Sequence, residues 1–297
     1  MKSSTRNRSR GVGLFPVINT LLLLLVAFIT IYPMYYIFIV SVSEGSFVNR
    51  GLVKFWPCGF TLGAYNIVFQ NSDIWNSYLN TILYTGVGTF INIVMTAMCA
   101  YPLSQKSFYG RKFFTKMIIV TMFFGGGLIP TYLVVNNLHL INTMWAIVLP
   151  PAINVFNMIV MRTSFESIPD SLREAAFLDG ANDIQVLAKI ILPLSKPIIA
   201  TITLFYLVEH WNSFFSAIIY LNEKVKYPVQ VILRDIVVAG EFAEEQGEIG
   251  SASSAFSVVA TNYKYAVIII TVIPILAAYP FLQKYFTKGV MVGAVKG

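Results

Sequence analysis

Long apolar segments recur along the chain, and they constrain its fold more than any other feature. The first of them, from Val17 to Val40, contains no charged residue. A helix of about eighteen or more such residues can cross the ~30 Å hydrocarbon core of a bilayer with its backbone hydrogen bonds satisfied internally. The mean hydropathy is +0.69 and only 12% of the residues are charged, so no stretch is mixed enough to form a separate soluble domain. The sequence therefore predicts an all-α polytopic membrane protein.

Six apolar segments are long enough to be spans, and we predict one transmembrane helix in each. They cover about Val17–Val40, Trp75–Tyr101, 117–135, Met144–Met161, Ile198–Tyr220 and Tyr265–Tyr285. The first is too long for the apolar part of a signal peptide, and no small-x-small cleavage site follows it. We expect three parts. Residues 1–74 hold the N-terminal tail, the first helix and an outer loop, residues 75–288 form a core with the other helices, and residues 289–297 form a C-terminal tail.

The third predicted helix has a weak point at Gly125-Gly-Gly127, followed by Pro130. Glycines in a membrane helix permit close helix packing, and a proline removes one backbone hydrogen bond. An interruption is therefore expected here, either for helix packing or as a hinge beside a pore.

Most of the positive charge lies on one side of the predicted membrane. The net charge of +7 comes from 21 Lys and Arg against 14 Asp and Glu. Fifteen of the 21 lie before residue 11, between 106 and 116, between 162 and 196, or after 283. This distribution follows the positive-inside rule and predicts that both termini are cytoplasmic. The charge reports orientation, and no nucleic-acid partner is needed to explain it.

One polar segment breaks the apolar pattern between the fourth and fifth predicted spans. It reads SLREAAFLDGANDIQVLAKIILP over residues 171–193. Ser171 and Glu174 have the spacing of a capping box. The two alanines that follow Glu174 favour helix, and Gly180 is a natural stop. A second short helix should follow over about residues 182–192. We expect two short helices joined at a glycine, forming a rigid unit at the membrane surface.

This segment resembles the EAA loop of ATP-binding-cassette importer permeases. The resemblance rests on Glu174-Ala-Ala, Asp179-Gly-Ala and Ile191-Leu-Pro193, and on their place in the chain. The Asp-Gly-Ala version is similar to that of the carbohydrate-uptake (maltose-type) branch. The resemblance implies a type I importer permease fold in which the loop, about residues 163–197, forms a cytoplasmic coupling helix. The run from Gly125 to Pro130 and the glycine-rich tail resemble the branch of lipoprotein-like and complex-oligosaccharide systems.

The family resemblance also implies an assembly in a bacterial cell membrane. The partners would be a homologous second permease, an ATPase dimer that binds ATP and Mg, and an extracytoplasmic sugar-binding protein. The expected substrate is a carbohydrate, more narrowly an oligosaccharide, and the chain itself would carry no cofactor and no catalytic residue. Glu174 has two candidate roles, as a helix cap and as the partner of a basic ATPase residue. The residues expected at the ATPase are Glu174, Ala175, Ala176, Phe177, Asp179, Gly180, Leu192, Pro193, Gly293 and Lys296.

Only one acidic residue falls inside a predicted span, Glu209 of the fifth. A charge facing lipid at that depth would cost ~2.5–3.5 kcal/mol, so its side chain should face a cavity or a partner helix. At helical spacing Tyr206, Asn212 and Ser213 share its face, and the flat ring of Trp211 suits stacking on a sugar. These five residues are the candidate substrate path. A purely structural polar cluster is the alternative.

The outer loop from Asn222 to Asn262 is too long for a simple turn and carries five glutamates. Long loops without regular structure usually have a function. We therefore expect this loop to contact the binding protein, and the candidate residues are Glu245, Gly247, Glu248 and Gly250.

Other chemistries lack the residues that they need. No G-x-x-x-x-G-K-[ST] loop occurs, so the chain itself should not hydrolyse ATP. The spacing of Cys58 and Cys99 suggests neither a metal site nor a disulfide, and His139 and His210 are too isolated for a metal site. A proton-coupled secondary transporter is the alternative class, raised by the lone carboxylate of Glu209. Such transporters usually need several buried ionisable groups and internal repeats, and neither is evident.

Overall fold

The computed structural model describes residues 14–245, 262–278 and 280, with side chains up to Val238 in the first range. Every long regular element in these residues is a helix, which confirms the predicted all-α class. In chain order the helices are α1 (Leu14–Ser41), α2 (Gly45–Asn49), α3 (Gly63–Gln70), α4 (Ser72–Ser104), α5 (Arg111–Phe123), α6 (Leu128–Asn137), α7 (Trp145–Val148), α8 (Val155–Glu166), α9 (Asp170–Leu178), α10 (Asp183–Val186), α11 (Leu192–Leu194), α12 (Lys196–Trp211), α13 (Phe215–Tyr220), α14 (Val229–Glu245) and α15 (Asn262–Ala278). A π-helical turn (Leu187–Ile191) joins α10 to α11, and a 3₁₀ turn (Lys224–Lys226) precedes α14.

Two helices are each long and apolar enough to cross a membrane. They are α1, with 28 residues, and α4, with 33. Two further groups of helices are long enough to cross a membrane only if each bent group is counted as one span. These are α5 with α6, which bend by 114°, and α10–α11 with α12, which bend by 86°. Helix α15 is apolar but shorter. The first two predicted spans are therefore present, and the total of six stays a prediction.

The predicted interruption of the third span is present and is larger than a kink. The glycines lie between α5 and α6, and Gly127 has a φ of +85°, which favours glycine. Pro130 lies in the first turn of α6, where a missing N–H breaks no helical bond. A Cβ at Gly125 would meet no described atom within 4 Å. The described residues therefore show a turn here, and not close helix packing.

The fourth and fifth predicted spans are also discontinuous. The fourth consists of α7, a turn at Pro150-Pro151, and α8, because proline supplies no N–H to continue a helix. Asn154 caps α8, its Oδ1 accepting from the Asn157 N–H at 3.2 Å. The fifth breaks at residues 212–214, between α12 and α13, where no proline or glycine marks the position.

The outer loop from residue 222 is more regular than expected, because α14 occupies 17 of its residues. Buried Val229 and Ile232 stand three residues apart on the helix, a spacing that gives α14 one apolar face. The Val229 N–H donates to Thr81 Oγ1 of α4 at 2.8 Å, which fixes the start of the helix. The expectation of a loop without regular structure was therefore wrong for this part.

The chain divides into two compact units. The described residues up to Val68, with those of Gly240–Ile269, form the first. In this unit the outer loop folds back on the end of α1. The hydroxyl groups of Tyr32 and Tyr35 donate to the carbonyls of Lys54 and Phe55 at 3.1 and 2.6 Å.

The second unit comprises Phe69–Ala239 with the described residues from Ile270 onward, and α4 is its central helix. Helices α8 and α12 pack along α4. Their shared core also takes in side chains from the polar segment between the fourth and fifth spans. It includes Ala97, Ala100, Tyr101, Leu103, Met158, Met161, Phe165, Ala176, Val186, Ile191, Ile202 and Tyr206. The polar segment is thus part of the packed unit and not an appendage.

Candidate functional site

Residues 170–194, which we call the coupling segment, begin with a helix whose start differs from the prediction. Helix α9 begins at Asp170 with Pro169 as its N-cap, and no side chain caps it. Ser171 therefore lies inside the first turn, where it cannot serve as the N-cap of a capping box. Glu174 is exposed and makes no hydrogen bond or ion pair with the described residues. The capping role assigned to Ser171 and Glu174 was wrong, and the predicted ATPase contact of Glu174 stays a prediction.

The predicted stop at Gly180 is confirmed in detail. Gly180 has a φ of +83°, its N–H bonds to the Phe177 carbonyl at 3.1 Å, and the Ala181 N–H bonds to the Ala176 carbonyl at 2.9 Å. These two bonds form a Schellman motif, which requires a residue that tolerates the left-handed region. The motif reverses the chain between α9 and α10 with its carbonyls satisfied.

The capping box belongs to the second helix of the segment. Asn182 Oδ1 accepts from the Gln185 N–H at 2.9 Å, and Gln185 Oε1 accepts from the Asn182 N–H at 3.0 Å. Helix α10 therefore starts at Asp183, as the sequence indicated. Both ends of the Gly180 turn are fixed by backbone and side-chain bonds, so the two short helices form a defined unit.

The coupling segment has an inner and an outer face. Ala176, Val186 and Ile191 are buried in the core with α4, α8 and α12. On the other face Leu178 is 89% and Ile184 is 77% exposed, one on each side of the Gly180 turn. We call these two residues the exposed tip. Large apolar side chains this exposed beside a rigid turn are typical of a docking surface.

The remaining predicted ATPase contacts are distributed over both faces. Ala175, Phe177, Asp179 and Pro193 are exposed, whereas Leu192 is half-buried. Pro193 lies in the first turn of α11, a position where proline is tolerated. Gly293 and Lys296 lie outside the described residues.

Arg173 anchors the coupling segment, and the sequence analysis did not single it out. Its side chain is 3% exposed, and its Nη2 donates to the Phe165 carbonyl of α8 at 2.6 Å. The same guanidinium reaches Gln105 Oε1 at 3.3 Å and Ser104 Oγ at 3.5 Å, at the end of α4. The signal was its spacing of three residues from Ala176, which puts both on the inner face. Arg173 thus ties α9 to two helices of the core.

Ion pairs reinforce this end of the unit. Glu166 of α8 accepts from Arg162 at 3.1 Å and also pairs with Arg111 at the start of α5. The hydrogen bond from Arg111 is the main reason that the pKa of the Glu166 carboxyl is lowered from its ordinary value. Lys106 lies 3.0 Å from Asp170, and its hydrogen bond and charge lower the pKa of that exposed carboxyl. The starts of α5 and α9 are therefore linked to their neighbours by charge.

A second candidate site is a cavity of about 320 Å³ in the second unit. Helices α12 and α13 form one wall, and α7 with the Pro150-Pro151 turn forms the other. Its polar lining residues are Glu209, Ser213, Ser216, His210 and Tyr220. The two serine Oγ atoms lie 2.7 Å apart. Carboxylate and hydroxyl groups of this kind can hydrogen-bond sugar hydroxyls.

Two of the five residues of the candidate substrate path line the cavity and three do not. Glu209 and Ser213 line the cavity, whereas exposed Asn212 does not. Tyr206 is fully buried, with its hydroxyl 2.7 Å from Thr96 Oγ1 and 3.0 Å from the Asn154 N–H. Trp211 is 5% exposed and donates to the Thr271 carbonyl at 3.2 Å. Tyr206 and Trp211 therefore do not line this cavity, because these bonds hold both side chains against other helices.

His210 has a structural role in the packing of the second unit. Its Nε2 lies 2.6 Å from Asn92 Oδ1, and the Asn92 amide donates to the Pro151 carbonyl at 2.5 Å. The ring crosses α4 at Gly88, where a Cβ would lie 2.5 Å from His210 Nε2. Asn92 and Gly88 were missed, since neither stands out within an apolar segment. Together they join α4, α12 and the proline turn at one wall of the cavity.

Of the residues predicted to contact a binding protein, only Glu245 lies within the described part of the chain. Glu245 is the last residue of α14, and nothing is described of its side chain. Gly247, Glu248 and Gly250 lie outside the described residues. Among the residues that are described, no three His, Cys, Asp or Glu side chains are grouped to hold a metal ion.

A family model described as "Binding-protein-dependent transport system inner membrane component" matches residues 10–292. The chain belongs to this family. It is thus a transport component of the inner membrane, and the resemblance of the EAA loop is confirmed at the level of the family. Membership also argues against the secondary transporter that was kept as an alternative.

Two relatives from Bacillus subtilis (strain 168) cover nearly the whole chain. The "Polygalacturonan/rhamnogalacturonan transport system permease protein YtcP" is 40% identical over 93% of this chain and 96% of its own length. "Protein LplC" is 42% identical over 99% of this chain and 98% of its own length. The predicted resemblance to the carbohydrate-uptake branch is confirmed, because such relatives are sugar transport permeases.

A solved structure has the same fold. It is a chain of the "Crystal structure of a bacterial ABC transporter involved in the import of the acidic polysaccharide alginate". The TM-score is 0.84 with 38% sequence identity, over 94% of this chain and 98% of that chain. The fold of an importer permease is therefore shown for this chain.

Proposed function

We propose that this chain is one of two membrane subunits of a bacterial ATP-binding-cassette importer for oligosaccharides. It forms half of the translocation path and passes movement from an ATPase dimer, which binds ATP and Mg, to the membrane helices. The other partners are a homologous second permease and an extracytoplasmic binding protein. The positive-inside distribution of Lys and Arg supports cytoplasmic placement of both termini and of the coupling segment.

The observation that carries this proposal is the construction of the coupling segment. Its inner face is held by Arg173 and by the shared core, while Leu178 and Ile184 are exposed at its tip. A close-packed unit transmits displacement because its interior has little free volume to absorb it. A push on the tip is therefore passed to α4, α8 and α12 as one movement.

The oligosaccharide proposal rests on the relatives and on the cavity. One relative is named for polygalacturonan and rhamnogalacturonan transport, and the solved transporter imports alginate. Glu209, Ser213 and Ser216 offer hydrogen-bonding groups in the lining of the cavity. The cavity is the proposed contribution of this chain to the path.

The test is the complete transporter in vesicles, with its ATPase, second permease and binding protein. Uptake of labelled polygalacturonan and alginate oligosaccharides and of neutral maltooligosaccharides should be compared, with and without ATP. We expect ATP-dependent uptake of one oligosaccharide class. Uptake that follows a proton gradient and ignores ATP would overturn the proposal.

The docking role of the exposed tip has its own matched control. Leu178→Asp with Ile184→Asp should release the ATPase subunit without lowering the melting temperature of the chain, because both side chains are exposed. Val225→Asp makes the same kind of substitution, with one negative charge in place of two, at a 71% exposed position on the predicted outer side. It should leave ATPase association unchanged. Equal association in the tip variant and the control would contradict the docking role.

A further inference from the structure

A large basic cavity lies at the turn between α4 and α5, apart from the site proposed for the substrate. Its volume is about 910 Å³, and it is lined by the turn, the first turns of α5, and Arg162 of α8. Five cationic side chains contribute to it: Lys106, Arg111, Lys112, Lys116 and Arg162. No carboxylate lines it.

The cations of this basic cavity are only partly neutralised. Glu166 pairs with Arg111 and Arg162, and Asp170 pairs with Lys106. Lys112 and Lys116 are exposed and have no carboxylate partner among the described residues. Two carboxylates thus face five cations, which leaves a net positive cavity.

The arrangement of Lys112 and Lys116 is unfavourable without an anion. They stand at positions i and i+4 of α5, where like charges destabilise a helix. Arg111 and Lys112 also occupy the first turn of that helix, which has no acidic residue. The helix dipole makes cations unfavourable at this end and anions favourable. A bound anion would offset both the repulsion between the two lysines and the unfavourable interaction of the cations with the helix dipole.

Two polar atoms of the lining residues lack partners. Thr115 Oγ1 and Arg162 Nε are buried and make no hydrogen bond with the described residues. Thr115 lies between the two lysines on α5, and both lining residues border the same cavity. Buried polar atoms are normally bonded, so these two residues keep hydrogen-bonding capacity that the described residues do not use. A small turn of either side chain would offer it to a phosphate oxygen.

Aromatic side chains complete the lining. Tyr109 is 96% and Phe113 is 66% exposed, and both border the cavity beside the cations. Aromatic rings with basic residues at the end of membrane helices mark the membrane–water interface. A free phosphate ion would gain nothing from these apolar rings, whereas a lipid places acyl chains next to its phosphate.

We propose that this basic cavity binds the phosphate headgroup of an anionic phospholipid, with its acyl chains against Tyr109 and Phe113. The assignment to the inner leaflet rests on the orientation in the proposed function. Lys112 and Lys116 bind the phosphate, and Arg162 with Thr115 supplies hydrogen bonds. The lipid thereby neutralises the face beside the Lys106–Asp170 link to the coupling segment.

The experiment measures lipid binding to the purified transporter in detergent by native mass spectrometry. The probes are phosphatidylglycerol, phosphatidylcholine and inorganic phosphate. Wild type should retain phosphatidylglycerol over phosphatidylcholine. Lys112→Gln with Lys116→Gln should weaken that binding roughly twenty-five-fold, since each lysine near an anionic surface contributes about a fivefold factor. Arg50→Gln with Lys54→Gln makes the same change of charge on the exposed first outer loop and should have no effect.

Three other outcomes would overturn the proposal. Equal retention by the cavity variant means that these lysines bind no lipid, and full competition by inorganic phosphate assigns the site to a free anion. Loss of the ATPase subunit with unchanged lipid binding assigns the face to a protein partner. The readout needs no transport, so a failure of oligosaccharide uptake with intact lipid binding rejects the proposed function alone.

Discussion

The guanidinium of Arg173 donates a 2.6 Å hydrogen bond to the backbone carbonyl of Phe165, joining α9 to the end of α8. Both side chains are buried, and Arg173 also reaches the end of α4 through Gln105 and Ser104. Neither helix can move away from α9 without breaking a charge-assisted bond in a site closed to water. The coupling segment and the core helices are therefore joined by polar bonds as well as by apolar packing.

Arg173→Met tests this anchor. Methionine keeps much of the apolar stem but removes the charged donor to the Phe165 carbonyl, which keeps only its backbone N–H donors, so we expect a loss of about 1.5–3 kcal/mol of stability. Thermal unfolding of the purified chain measures the loss, and sugar-stimulated ATP hydrolysis by the full complex should fall with it. Lys189→Met is the control, because Lys189 is an exposed cation of the same segment. If the two variants behave alike in both assays, Arg173 is no anchor.

Gly180 offers a test of the turn itself. A Cβ at this position would meet no described atom within 4 Å, so a substitution acts through the positive φ and not through a clash. Gly180→Ala should cost about 1–2 kcal/mol, whereas Gly180→Asn should cost less because Asn tolerates the left-handed region. Coupling, measured as the ratio of uptake to ATP hydrolysis, should follow the order Gly, Asn, Ala. A reversed order of Ala and Asn would show that backbone strain is not the cause.

Local chemistry explains which parts of the fold could be predicted. The lengths of the apolar segments were enough for α1 and α4, and the glycine stop at Gly180 follows from backbone conformation alone. The 114° bend between α5 and α6 was foreseen only as an interruption, because a glycine run permits many angles and tertiary packing selects one. Helix α14 was missed because the loop was judged by its length and its glutamates, although residues 229–240 are mostly apolar.

The residues of the candidate sites were likewise predictable only where the signal is local in sequence. Glu209 was found because an acidic residue in an apolar segment is a local signal, and the structure places it at a cavity. Tyr206 and Trp211 were misassigned because their side chains are held by distant partners, Thr96 and Asn154 for Tyr206 and Thr271 for Trp211, which helical spacing does not reveal. Asn92 acts through a partner far away in sequence, so no local pattern identifies it. The spacing of Arg173 from Ala176 indicates its face of the helix, but not its bond to Phe165.

Cysteine labelling separates the path residues from the structural ones. In a background lacking Cys58 and Cys99, single cysteines at positions 209 and 213 should react with a water-soluble thiol reagent, because both positions line the cavity. Cysteines at 206 and 211 should stay unreactive in the folded chain, because both positions are buried. In the full transporter the rates at 209 and 213 should change when ATP is added. Unreactive cysteines at both cavity positions, or rates that ignore ATP, would remove the cavity from the path.

Gly88 and Gly86 form a matched pair on α4, and they test the contact that closes one wall of the cavity. A Cβ at Gly88 would lie 2.5 Å from His210 Nε2 and 2.6 Å from its Cε1, whereas a Cβ at Gly86 would meet nothing within 4 Å. The buried ring is held by Asn92 and can give way only by losing that 2.6 Å bond. Gly88→Ala should therefore cost about 1–3 kcal/mol. Gly86→Ala should be neutral or stabilise by up to about 1 kcal/mol, because alanine favours helix.

Thermal unfolding of the two variants gives the comparison, and a double variant identifies its cause. If the clash with the ring is responsible, adding His210→Ala to Gly88→Ala should cost less stability than His210→Ala costs in the wild-type chain, because the new methyl group then occupies space that the ring has left. Strict additivity of the two substitutions would mean that the ring and the glycine do not interact. Equal melting temperatures for Gly86→Ala and Gly88→Ala would place His210 away from Gly88, and the wall of the cavity built from Asn92, His210 and Pro151 would have to be redrawn.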